Sequence, residues 1–190
     1  MNESPSTAPI PARSTPKLTP AGNFAVAWGV GGFVLLLGFA LWRLTPLALE
    51  SFDHPWGWPH VTVFVFNLVA MAWFEGYRGF QKAYSPRFAA RCREWASAAT
   101  WPQALIAPLV CMGFVQAPRR RIVATWILTV GIVLVVLLYR QLPQPWRGIL
   151  DAGVVLGLAW GLAATLVHVV LALRDGPRVD PELEAPVRAR

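Results

Sequence analysis

Charge is scarce in this sequence. Only 14% of its 190 residues are Asp, Glu, Lys or Arg, against about 25% in a soluble globular domain. Histidine and cysteine are scarcer still, at three and two residues. Two thiols, Cys92 and Cys111, cannot build a disulfide framework, and with no histidine nearby they do not make a zinc pattern. They read as packing thiols. The HExxH, CxxC, GxSxG and phosphate-loop signatures are absent, and with them the usual sequence marks of a zinc hydrolase, a dithiol oxidoreductase, a serine hydrolase or a nucleotide-triphosphate site. No internal repeat is visible, so the inverted-repeat architecture of many transporters is not indicated.

What the chain has instead is long uncharged runs. Hydrophobic residues make up 55%, the mean hydropathy is +0.46, and the apolar residues come in blocks rather than stripes. Blocks of that length are membrane spans. The fold class expected is all-α, a polytopic membrane bundle. The net charge of +7 would point to nucleic acid in a soluble protein. Here Lys and Arg lie between apolar blocks, where they set topology and meet anionic lipid head groups, so nucleic acid is not an expected partner.

Residues 1–23, rich in Pro, Ser, Thr and Ala, read as a disordered tail. The first span is 24–42, nineteen residues without a charge and about 28 Å of helix. Pro46, Pro55 and Pro59 with Trp56 and Trp58 mark a loop at head-group level. The second span covers 58–80. Its end reads EGYRGFQ, in which Glu75 and Arg78 are spaced to pair and so to lower the cost of a carboxylate near the bilayer edge. Asn67, in mid-span, reads as a hydrogen-bonding contact to another helix.

Ser85-Pro86 marks a new helix start. Phe88, Cys92, Trp95 and Ala99 then recur at helical spacing with Arg87, Arg91, Arg93 and Glu94 beside them, so 86–99 is expected to lie as an amphipathic helix in the interface. Residues 101–117 are apolar for too short a stretch to cross and contain Pro108, which predicts a re-entrant segment. Two further spans follow at 122–140 and 148–173, and 174–190 reads as a second disordered tail.

Positive charges decide between four and five spans. With five, Lys and Arg divide almost evenly between the two sides. With four spans and a segment that dips and returns, fourteen of the seventeen fall on one side, which is the asymmetry cytoplasmic loops carry. Both termini are therefore expected on the cytoplasmic side of the cell membrane.

Gly153, Gly157 and Gly161 form GxxxGxxxG in the last span, extended by Thr165. Such spacing lets two helices meet backbone to backbone, either span one of the same chain or a second copy. His168 falls on the same face. Counting depth along the spans puts it near Glu75, so a Glu75–Arg78–His168 cluster is expected, either a hydrogen-bonded latch or a proton relay. His60 and His168 sit at opposite ends of their spans, which excludes a haem held by both. No cofactor is expected.

The leading functional reading is a non-enzymatic accessory or scaffold protein. Its inner basic face, supplied by Lys82, Arg87, Arg91, Arg93, Arg119, Arg120 and Arg121 beside Arg78, would bind anionic lipid and a protein partner. The alternative is a small-solute or proton-coupled transporter using Glu75 and His168. A membrane enzyme ranks third, because no nucleophile–base pair or metal motif stands at a workable spacing.

Overall fold

Helices begin where the chain supplies a cap and end where it can no longer continue. In the computed structural model, which describes residues 19–177 and Val179, the first helix, α1, is Pro20–Glu50. It starts ahead of the apolar run, because the Thr19 hydroxyl accepts from the Gly22 N–H at 3.0 Å and Pro20 needs no N–H partner in the first turn. Pro46 sits inside α1 and does not end it; the loop expected from Pro46 onward begins only after a 3₁₀ turn, Ser51–Asp53.

The second helical passage is longer than expected. Helix α2, Trp58–Met71, runs without a break into a π-helical segment, Ala72–Tyr84, and then into α3, Ser85–Ala98. At one end of the widened segment the Ala72 N–H reaches both Leu68 and Val69; at the other the Ser85 N–H donates to Phe80, five residues back. Pro86 has no N–H to place, so the ladder returns to α-helical register there without a gap. Ser85 accordingly stays helical and does not act as the N-cap of a separate helix.

Two short helices follow, α4 (Trp101–Ala104) and α5 (Ala107–Met112). Gly113, with φ of 86°, ends α5 in the left-handed conformation. Helix α6 is Arg119–Tyr139 and α7 is Trp146–Asp175. No strand occurs among the described residues. Three helical stretches, Pro20–Asp53, Arg119–Tyr139 and Trp146–Asp175, are long and apolar enough to cross a membrane, and the span expected over 58–80 is not among them; the described chain is all-α and of multi-pass character.

Helix α7 is the axis of the bundle, and α1, α2, the π segment and α3 all pack along it. Its first turns meet the end of α1, where Gln144 donates to the Leu47 carbonyl and accepts from the Gly148 N–H. Its later turns share a buried cluster with the first half of α1, including Val26, Phe33, Val169 and Ala172. Helices α1 and α7 are therefore antiparallel. The second passage runs parallel to α7: Asn67 bonds near Ile149, Ser85 meets Thr165, and Arg93 reaches the Leu173 carbonyl.

These contacts revise two expectations. The α3 stripe is not laid on a lipid surface: Phe88, Ala89, Cys92, Trp95 and Ala96 are buried against α1, α5 and α7. Helices α4 and α5 stay beside the first third of α1, where Trp28 donates to the Leu105 carbonyl at 3.1 Å and Gly29 and Gly32 face Cys111 and Pro108. Pro108 lies in the first turn of α5 rather than breaking a longer helix. Arg174 and Asp175, expected in a tail, belong to α7; residues 1–18, 178 and 180–190, where the rest of the two expected tails falls, lie outside the described residues.

Helix α6 stands apart. None of its residues is buried, and its aromatic contact is Trp126 against Phe114, ring centroids 5.4 Å apart. Every side of it reads as apolar surface.

Candidate functional site

The polar groups that a membrane bundle cannot leave in lipid collect along the seam between the second passage and α7. The sequence places glycine at 153, 157 and 161, one per turn on one face of α7, and all three are buried. Opposite each stands a side chain of the second passage. A Cβ at Gly153 would strike the Asn67 amide, one at Gly157 would lie 2.5 Å from Glu75 Oε2, and one at Gly161 would enter the Phe80 ring. The missing side chains are therefore sockets. The partner is α2 with the π segment, not α1, and a second copy cannot use a face this chain already fills.

Each socket holds a different chemistry. Asn67 Nδ2 donates to the carbonyls of Ile149 at 2.9 Å and Leu150 at 3.3 Å, backbone oxygens of α7. One turn past Phe80, the Ser85 and Thr165 hydroxyls stand 2.8 Å apart, both fully buried, and Thr165 also donates to the Gly161 carbonyl at 2.7 Å. Gln81 Oε1 accepts from the Trp160 indole at 2.9 Å. Glu75 is the exception: its Oε2 is buried and has no hydrogen-bond partner among the described residues.

The Glu75–Arg78–His168 cluster does not assemble. Arg78 is exposed and makes no ion pair with Glu75 among the described residues, because residues three apart on the widened helix no longer share one face. His168 lies eleven residues beyond Gly157 on α7, about 16 Å along the axis. It is half-buried, with Nδ1 2.8 Å from the Ala164 carbonyl. It lines an open cavity of about 120 Å³ with Pro86, Ala89, Leu171 and Ala172. Glu75 is not at the end of its helix, as the depth count assumes: that helix continues to Ala98 and sets Glu75 opposite the middle of α7.

The basic residues divide by environment. Lys82, Arg119 and Arg120 are exposed along with Arg78, and Arg87, Arg93 and Arg121 are half-buried. Lys82 Nζ lies 5.3 Å from the centroid of the Tyr77 ring. Arg91 does not belong to the surface: it is 5% exposed and points into the space left by Gly113, with Nη1 3.5 Å from the Cys111 carbonyl. Cys92 and Cys111 are free and fully buried, with their sulfurs 3.5 Å apart. At the far end, Arg147 and Asp151 stand 3.7 Å apart, and the His60 ring packs on Trp146.

Sequence reasoning missed the Ser85–Thr165 and Gln81–Trp160 pairs. Thr165 carried a signal, four residues after Gly161 on the same face; Ser85 carried only a misleading one, its position before proline. Among the described residues, no group of three or more His, Cys, Asp or Glu is placed to hold a metal ion. Compared with protein-family models, curated proteins and solved structures, the chain matches none.

Proposed function

We propose that this protein is a non-enzymatic accessory protein of the cell membrane that crosses it four times and binds anionic lipid and a protein partner by a basic cytoplasmic rim. The four crossings are α1, the α2–π passage, α6 and α7, and both termini lie on the cytoplasmic side. One observation carries the reading: residues 101–112 stay beside the first third of α1, held by the Trp28–Leu105 hydrogen bond and the Gly29 and Gly32 contacts. The end of α3 and the start of α6 then belong to one end of the bundle. That end collects exposed Arg119, Arg120 and Arg174 beyond Arg78 and Lys82. Cations at that level meet phosphate head groups, each contributing about 1 kcal/mol near an anionic surface. Exposed Trp101 on α4, Leu105 in the turn after it and Leu109 on α5 supply an apolar edge, which suits a segment resting in the head-group region.

The test is native mass spectrometry of the full chain in mild detergent with phosphatidylglycerol or phosphatidylcholine added. Retention of phosphatidylglycerol over phosphatidylcholine, weakened in Arg119→Gln/Arg120→Gln, is the expected result. Equal retention of both lipids, or no change in the double variant, overturns the reading.

A further inference from the structure

We propose that Glu75 is a proton-binding site, a carboxylic acid that holds its proton inside the seam between the π segment and α7. The proposal rests on the crossing of the membrane by the α2–π passage, as read above, and not on lipid binding.

Three observations converge on this residue. Its Oε2 is buried against Gly157 with no hydrogen-bond partner among the described residues, in a seam where Asn67, Gln81, Ser85 and Thr165 are all satisfied. It lies well inside the apolar length of α7, about 14 Å along the axis from Gly148 and about 22 Å from Ala172. And it sits in a π-helical segment, a form uncommon in helices and frequent where a helix carries function.

Among the described residues, no charge compensates it. From α7, the seam presents Gly153, Gly157, Trp160 and Gly161, none ionisable. The nearest ionisable groups on α7 are Asp151, already beside Arg147, and His168, turned to the Ala164 carbonyl. On its own segment, Arg78 is exposed, Lys82 lies over Tyr77, and Tyr77 is half-buried. On α1, Arg43 and Glu50 are exposed, and on α3 Arg87 bonds the Ala83 carbonyl, Arg91 the Cys111 carbonyl and Arg93 the Leu173 carbonyl, with Glu94 exposed. A carboxylate with neither counter-ion nor donor in an apolar layer takes up a proton instead of remaining charged. The protonated acid is neutral and can donate to a helix carbonyl, while the ionised form calls for water, so the bound proton and the closed seam support one another.

The experiment uses the purified full-length protein in detergent and the apolar reagent dicyclohexylcarbodiimide, which adds to protonated carboxyls in apolar surroundings. The acid proton passes to one carbodiimide nitrogen, the carboxyl oxygen bonds the central carbon, and the acyl group migrates to nitrogen as a stable N-acylurea, with nothing released. One adduct per chain is expected, mapped by peptide mass to Glu75 and absent in Glu75→Gln. A water-soluble carbodiimide with an amine should label exposed Glu94 and spare Glu75. An unlabelled Glu75, or equal labelling by both reagents, overturns the proposal.

Discussion

At the scale of single residues, this protein is held together by what three glycines omit. Gly157 is the sharpest case, because the atom a side chain would meet is the end of Glu75, whose own position is set by the helix opposite. Gly157→Leu should cost about 3 kcal/mol or more, since overpacking a closed seam forces backbone shifts. Unfolding in mixed detergent reads this as a lower midpoint. Asn67→Ala removes the donor that ties α2 to the Ile149 and Leu150 carbonyls; about 1 kcal/mol is expected, the usual scale for a hydrogen bond between membrane helices. Two carbonyls left in their own helix ladder lose little else, so a much larger loss would mean that Asn67 does more than latch.

At the scale of elements, the contrast lies between α7, packed on several sides, and α6, packed on almost none. Gly131 in α6 has open space where a Cβ would go, and no α6 residue is buried. Gly131→Leu should therefore leave stability unchanged or raise it by up to about 1 kcal/mol, the scale of replacing an unpacked helical glycine, in the same assay that registers Gly157→Leu. Phe33→Ala, by comparison, opens a hole among Tyr84 and Phe88, whose rings lie 5.6 and 4.9 Å away, and should cost about 3–5 kcal/mol. The glycine spacing that marks close helix contact was legible in the chain. Its partner was not, because GxxxG states how near a backbone can come and nothing about which backbone arrives. The α3 stripe teaches the same lesson: Phe88, Cys92, Trp95 and Ala99 do form a buried face, but periodicity cannot tell a lipid surface from helices α1, α5 and α7.

At the scale of the whole molecule, the arrangement turns on where 101–117 leads the chain. Cysteines placed singly at exposed Glu94 and Arg120, in a background with Cys92 and Cys111 replaced by serine, should react with an impermeant maleimide from one and the same side of the membrane. Reaction from opposite sides would divide the basic rim and remove the lipid-binding proposal with it. The native thiols cannot serve in this test, since both are fully buried.

The sequence by itself determined that the chain is helical and of membrane character. Long uncharged runs leave backbone N–H and C=O groups nothing to bond except one another, and a helix satisfies them within one segment. Only the tertiary structure decided which helix lies beside which, that Arg91 is buried, that Glu75 stands alone opposite Gly157 and that His168 lies well away from it. The physical reason is that hydropathy measures transfer out of water and is blind to the choice among apolar neighbours: lipid, α6 and α7 are alike to it. That choice rests on side-chain shape and on a few hydrogen bonds between residues some eighty positions apart, which no local pattern records.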